Sequence, residues 1–264
     1  MGRCSKDWTR LVKPALPLLM ALTLLATTAE AKRRRATFFP KDLDMEQPGA
    51  VELDLRIGAL RAGDATNWVV PDLEMDIGVA PRLELGVDAQ AGLDPAAGTW
   101  QAQDQLWISA KHLLWDAHDA PRRAALGLQH GPRFGVVPGT WAFGYQAVGL
   151  LALDGDGGQV VLSAGAFVDP PEITTALRPA GVLIGVDSSL DLSDAWDLAP
   201  SVALTGHAEG HVDAVAAVDL ELALAPWGTA RVGVLGGWQD RGRLIGAAIG
   251  YAPRLQLVGR RPRR

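Results

Sequence analysis

Cysteine is almost absent from this chain: its 264 residues contain a single one, Cys4. The remainder of the chain can therefore build no disulfide framework and no thiol chemistry. An excess of positive charge is also missing, since 25 basic and 30 acidic residues give a net charge of −5. A chain with this charge is a poor partner for nucleic acid.

Long apolar runs are missing after residue 31, so the sequence predicts no transmembrane helix in that region. Before it, a basic segment with Arg3, Lys6 and Arg10 leads into an apolar run over residues 16–26. Ala-Glu-Ala at 29–31 follows and fits a signal-peptidase cleavage site. Cys4 precedes the apolar run, whereas a lipid-modified cysteine would follow it. We therefore predict that residues 1–31 are a cleaved signal peptide.

Signatures of catalysis and of metal binding are equally scarce. No Gly-x-Ser-x-Gly nucleophile elbow occurs. The acidic stretch 154–158 lacks the glutamate that a calcium loop needs at its twelfth position, so it predicts a turn. His207, Glu209 and His211 would share one face of an extended segment and could bind a divalent metal. The glycines beside them favour a solvated hairpin tip instead. We expect no enzyme, no cofactor and no metal site.

Strict alternation is what the chain does contain. In residues 51–57, 73–79 and 83–87 every second residue is apolar, and most residues between are charged or glycine. A period of two residues is typical of a strand with one apolar and one polar face. Similar segments, separated by Gly, Pro and Asp, recur to residue 251. The pattern indicates about twelve strands, many with the 9–11 residues that a tilted membrane strand requires.

These observations predict an all-β fold, an antiparallel up-and-down transmembrane β-barrel of about 12 strands. The barrel would span residues 51–258. A polar N-terminal lead at 32–50 would precede it, and a basic tail at 259–264 would end the chain. The longer links of the predicted barrel, which would face the cell exterior, lie at 61–67, 94–98, 130–140 and 169–180.

In such a barrel the charged face of each strand points into the lumen, because a charge facing lipid costs about 2–4 kcal/mol. The acidic excess would favour cations if the lumen is open. The predicted lumen-facing residues comprise eight carboxylates and four cations: Glu52, Asp54, Arg56, Glu74, Asp76, Glu84, Asp88, Lys111, Arg123, Asp219, Glu221 and Arg231.

Tryptophan gives separate support for a membrane barrel. Indole rings prefer the interface between hydrocarbon and headgroups, where the N–H stays hydrated. Trp107 falls in the middle of a predicted strand. Seven others lie at or near predicted strand ends and would form an aromatic girdle: Trp68, Trp100, Trp115, Trp141, Trp196, Trp227 and Trp238.

The stretch from Pro71 to Val87, a strand followed by a short turn and Arg-Leu-Glu-Leu-Gly, resembles one barrel family. This family comprises the outer-membrane barrels of phenol-degradation (meta-pathway) operons, which are regarded as transporters. The resemblance covers mainly residues 48–93. It implies an outer-membrane barrel that passes small, including aromatic, compounds. Tyr251 is followed here by Ala-Pro and a basic tail, whereas such barrels commonly end on an aromatic residue.

We therefore predict a passive channel or transporter-like pore in the outer membrane, surrounded by outer-membrane lipid and passing small-molecule solutes. Two other interpretations stay open. A structural barrel would have the same fold with its lumen closed by ion pairs. A soluble periplasmic β-sandwich that binds a ligand would explain the strands and the signal peptide, but not the apolar outer face. The oligomeric state is not predicted.

Overall fold

A computed structural model describes residues 43, 45–62, 65–94, 99–117, 123–137, 140–155, 157–170, 180–224, 228–239 and 242–256. The predicted signal peptide, most of the predicted lead and the basic tail lie outside these residues. Within them the backbone forms one antiparallel sheet whose first and last strands pair with each other. The predicted all-β barrel is confirmed.

The described residues form thirteen strands that follow one another around the sheet in chain order. Their bounds are β1 Ala50–Ala62, β2 Ala65–Ala80, β3 Leu83–Asp94, β4 Thr99–Asp116, β5 Ala124–Val137, β6 Thr140–Gly155, β7 Gly158–Val168, β8 Ala180–Ser193, β9 Trp196–His207, β10 Val212–Ala223, β11 Thr229–Gln239, β12 Gly242–Ala252 and β13 Arg254–Gln256. The start of β1 and the end of β12 lie at one end of the barrel, called here the termini end. The opposite end is called the far end.

The barrel closes where β12 pairs antiparallel with β1. The three residues of β13 pair with the first residues of the same strand. Between them lies Pro253, which has no N–H to donate but accepts a hydrogen bond from Leu53 N–H at 3.1 Å. Thus β12 and β13 are one strand interrupted by a proline. The wall has twelve strands, as predicted.

Two of the predicted links are wrong, because the strands run further than the local sequence suggests. Residues 61–67 contain the end of β1 and the start of β2, and pairing continues to Ala62 opposite Ala65. The other link, 130–140, is replaced by eight further residues of β5, which pair with β6 as far as Val137 opposite Thr140. Cross-strand pairing outweighs the local turn signals in both places.

Gly131-Pro132 lies within the predicted link 130–140, yet both residues belong to β5. Pro132 keeps its place opposite Tyr145 on β6. On the other side, the pairing with β4 is interrupted between Trp107 and Ala110. The indole N–H of Trp107 donates to the Gly131 carbonyl at 3.3 Å and so uses an acceptor in this gap. The proline thus disturbs one ladder without ending the strand.

The two faces of the sheet differ in exposure as a closed barrel requires. Outward residues such as Leu55, Leu85 and Ile249 are exposed, whereas inward Asp54 and Glu84 are buried. Leu53 and Met75 are paired neighbours on the outward side of β1 and β2 and are only half-buried. An apolar surface therefore surrounds a largely polar interior. No helix among the described residues is long and apolar enough to cross a membrane.

Candidate functional site: the barrel lumen

An ion-pair network joins β1, β10 and β11 inside the barrel. Arg56 donates to Asp54 Oδ2 from Nε at 3.1 Å and from Nη2 at 2.9 Å. Arg231 binds the same carboxylate oxygen through Nη1, and its Nε lies 3.0 Å from Glu221 Oε1. A weaker contact of 3.4 Å joins Arg56 Nη1 to Asp219 Oδ2. These five residues, called here the arginine network, place two cations among three carboxylates.

Missing side chains on β11 and β12 make room for the arginine network. Gly250 lies between the two arginines, opposite Arg231 on one side and Arg56 on the other. A Cβ added at Gly250 would lie 3.0 Å from Arg56 Cγ. Gly233 stands opposite Asp219, and a Cβ there would collide with the carboxylate. These glycines therefore allow long side chains from neighbouring strands to cross β12.

A second ion pair lies between β3 and β4. Lys111 Nζ is 2.7 Å from Glu84 Oε1, and both side chains are buried. The other oxygen of Glu84 accepts a hydrogen bond from the backbone N–H of Glu46 at 2.7 Å. Nearby, Gln129 Nε2 donates to Ser109 Oγ at 2.9 Å. Charge-assisted hydrogen bonds compensate the desolvation of this buried pair.

Arg133 fixes a third polar cluster in the lumen. Its Nη1 donates to Gln146 Oε1 at 3.0 Å and lies 3.0 Å from Asp169 Oδ1, in the link that follows β7. The guanidinium also lies over the ring of Phe167, 5.1 Å from its centroid. A planar guanidinium suits this combination of stacking and hydrogen bonding. The described start of this link, residues 169–170, is thereby held against the lumen wall.

An apolar surface covers the lumen side of β6, β7 and β8. Its members, called here the apolar wall, are Val148, Leu150, Ala152, Val161 and Leu183, and none is more than 2% exposed. They pack with Leu43, Ala125 and Phe167 in one cluster. Burial this complete keeps the five side chains of the apolar wall out of contact with water.

The N-terminal lead enters the barrel at the termini end. Leu43 and Glu46 are buried, although the sequence predicted a polar lead. The chain then turns, with Ala50 N–H on the Gln47 carbonyl at 2.7 Å, and runs into β1. Gly78 and Gly127 provide the space: a Cβ at the first would collide with carbonyl oxygens of the lead, and one at the second with Leu43. The described lead residues, 43 and 45–49, therefore fill part of the lumen.

The remaining predicted lumen residues lie in two places. Arg123 is just outside β5 at the termini end, where its Nε and Nη1 lie 3.1 Å from Asp116 Oδ1 and 3.6 Å from Asp154 Oδ2. A half-buried acidic group occupies β1–β3, with Glu52 opposite Asp76 and Glu74 opposite both Asp54 and Asp88. Each member of this acidic group makes a polar contact or electrostatic interaction.

The tryptophans occupy different environments. Trp115, Trp196 and Trp238 are exposed, and the first two lie at the termini end, the third at the far end. Trp107 points inward and is completely buried. The structure does not describe the side chains of the other four predicted girdle residues, Trp68, Trp100, Trp141 and Trp227.

Several lumen residues escaped the sequence analysis. Arg133 fell in a predicted link and Leu43 in the lead, whereas Gln146 lay inside a predicted strand. Asp187 and Asp213 are buried on inward positions of β8 and β10. Strict alternation could have identified both aspartates, because each is a single carboxylate flanked by apolar or small residues in a strand.

Comparison with known proteins agrees with the fold. No protein-family model matches the sequence, and no curated protein does. Among solved structures, the NanC porin is 12% identical with a TM-score of 0.58, covering 77% of this chain and 100% of its own. An outer membrane channel from Pseudomonas putida F1 is 11% identical with a TM-score of 0.57, covering 83% and 100%. The KdgM porin is 11% identical with a TM-score of 0.51, covering 76% and 98%.

Proposed function

We propose that this chain is an outer-membrane channel with a narrow aqueous path that prefers small cations. The supporting observation is an asymmetry of the lumen. Three side chains of the arginine network stay about one-fifth exposed, 21% for Asp219, 20% for Glu221 and 18% for Arg231, whereas the shared Asp54 is buried. The apolar wall is completely buried. Water therefore reaches the side of the lumen formed by β10, β11, β12, β1 and β2, where carboxylates outnumber cations.

The outward surface supports the membrane location. Every strand from β1 to β12 carries at least one exposed Leu, Ile or Val side chain, and such a surface suits hydrocarbon. An exported barrel inserts from the periplasm, so we place the termini end, with the lead, on the periplasmic side. Cell fractionation and heat-modifiable gel migration test the location. Extraction by salt alone would favour a soluble β-sandwich.

The cation preference follows from the charges lining the wet side. Carboxylates in a narrow, low-dielectric path raise the local concentration of cations and exclude anions. In planar bilayers under a KCl gradient, we expect a reversal potential of the sign set by K⁺. The double variant Asp219→Asn, Glu221→Gln should shift it toward zero. Glu209→Gln, at an exposed position of the β9–β10 tip, is the matched control.

The rival function is a structural barrel with a closed lumen. The tightly packed pairs of Lys111 with Glu84 and of Arg133 with Asp169, together with the lead, favour it. It predicts no conductance steps from pure, correctly folded protein. Conductance steps that change when the lumen carboxylates are substituted would reject the structural barrel.

The resemblance to barrels of phenol-degradation operons suggests a second cargo, small aromatic compounds. The apolar wall is a suitable surface for such rings, but Leu43 packs on it. We therefore propose that aromatic passage requires displacement of the lead. Uptake of phenol into proteoliposomes, faster for a chain lacking residues 32–47 than for the intact mature chain, would support this route.

A further inference from the structure

The β9–β10 hairpin carries a cluster of metal-ligating side chains at the far end of the barrel. His207 ends β9, and residues 208–211 form the tip. The tip is closed by His207 N–H on the His211 carbonyl and by Gly210 N–H on the His207 carbonyl, both at 2.9 Å. Gly210 has φ 93°, which a residue with a side chain rarely adopts. This closure stacks the rings of His207 and His211, with centroids 4.1 Å apart and an interplanar angle of 13°.

Asp213, the second residue of β10, completes the cluster. Its Oδ2 lies 3.0 Å from His207 Nε2. One ligand atom from each of His207, His211 and Asp213 lies within 4.8 Å of the other two. The sequence suggested Glu209 as the carboxylate, but Glu209 is exposed on the tip and does not belong to the group. The hairpin instead brings in the residue that lies opposite Thr205.

The environment of this cluster differs from that of a solvated loop. The side chains of His207 and Asp213 are only 10% and 7% exposed. The Nδ1 atom of His207 is buried and has no hydrogen-bond partner in the described structure. The edge of Phe167 packs against the His207 ring at 5.7 Å between centroids, and the backbone opposite is Gly181. A bound ligand would satisfy the unused bonding capacity of this buried nitrogen.

We infer that His207, His211 and Asp213 form a binding site for a divalent transition metal of the zinc class. Two imidazoles and one carboxylate are ligands that zinc prefers, and three protein ligands leave a fourth position for water or a solute. The half-exposed His211 gives the ion a route from the mouth of the barrel. This site does not depend on whether the barrel conducts.

Metal binding to the intact mature protein tests the inference. The protein is purified in detergent without a polyhistidine tag, treated with EDTA, and titrated with Zn²⁺ by calorimetry. Titration with Co²⁺ by visible absorption reports the geometry directly. We expect one ion per chain and a Co²⁺ spectrum of four-coordinate type. His211→Ala and Asp213→Asn should each weaken binding by more than the roughly 10–100-fold that follows loss of an outer-shell partner.

Two controls separate this site from general histidine or carboxylate binding. Glu209→Gln removes a charge from the same tip and should leave the affinity unchanged. His130→Ala disrupts the other stacked histidine pair, formed with His112 on the outward face at 5.3 Å, and should also have no effect. Heat-modifiable migration verifies that each variant folds. Should buried Asp213→Asn fail to fold, half-exposed His211→Ala still decides the question.

Three results would overturn the site. The first is no heat and no Co²⁺ absorption with the intact protein at micromolar to millimolar metal. The second is binding that survives in the folded His211→Ala variant. The third is a loss of binding in Glu209→Gln as large as in the ligand variants, because Glu209 is not among the grouped ligands.

Discussion

The arginine network and the apolar wall represent two ways of filling one lumen. The network combines charged side chains from β1, β10 and β11 around glycines of β11 and β12, and water reaches several of its members. The apolar wall lies on β6–β8, about half-way round the twelve-stranded ring, and is completely buried. The charges of the network thus keep some hydration. The apolar wall is buried completely, and its hydrocarbon needs no hydrogen-bond partners.

Removing the carboxylate that the two arginines of the network share should destabilise the barrel most. Asp54→Asn preserves the volume but leaves Arg56 and Arg231 with only Asp219 and Glu221 as carboxylate partners in the network. Losing one partner of a buried ion pair costs about 3–5 kcal/mol when the other charge is left unpaired. Each arginine here keeps one carboxylate contact, so we expect the lower end of this range. We expect a decrease of this size in the free energy of unfolding, measured by urea titration in detergent micelles.

Asp219→Asn is the matched control for this change. Asp219 is more exposed than Asp54 and makes one contact with Arg56 of 3.4 Å. Its loss should cost about 1 kcal/mol or less, as for an exposed pair. Equal costs for the two variants would show that the network does not centre on Asp54.

On the apolar wall, the corresponding change is Leu150→Ala. Leu150 is 1% exposed and packs in the cluster with Leu43, Val161 and Leu183. Truncation of a buried leucine to alanine costs about 2–5 kcal/mol, through lost burial and a residual cavity. Equilibrium unfolding of the variant measures this cost. Leu153→Ala on the same strand, whose side chain is 44% exposed on the outside, should cost less, and the reverse order would exchange the assigned faces.

The strands of the barrel could be predicted from the sequence better than the side-chain contacts inside its lumen. Alternation is local, so residues 51–57 and 73–79 indicate strands and faces without knowledge of the fold. The partners across the lumen are not local, since Asp54 and Arg231 meet only because β12 closes on β1. Neither the position of Leu43 inside the barrel nor the inward direction of Arg133 had a periodic signal.

The lead packs on the apolar wall through Leu43 and binds Glu84 through the Glu46 N–H, so displacing it should change how the lumen is filled. An alanine Cβ at Gly78 would collide with carbonyl oxygens of Glu46 and Gln47. Overpacking of this kind costs about 1–3 kcal/mol. Gly78→Ala should therefore destabilise the barrel by this amount and raise the single-channel conductance as the lead moves. Gly149→Ala, where the nearest atom would be 3.7 Å from the new Cβ, is the control and should change neither quantity.

Substitutions on the outside of the barrel should change the free energy of unfolding least. Trp115 and Trp107 lie on one strand, but the first is exposed outward and the second is buried in the lumen. An exposed position away from specific contacts tolerates substitution within about 0.5 kcal/mol, so Trp115→Phe should hardly change the free energy of unfolding. In the unsubstituted protein, the fluorescence of Trp115 should nevertheless be quenched by brominated lipid, because its indole faces the bilayer. In proteoliposomes the quenched fraction should fall for Trp115→Phe and stay or rise for Trp107→Phe. The opposite result would place the charged face of β4 toward lipid, where Lys111 and its neighbours would be unstable.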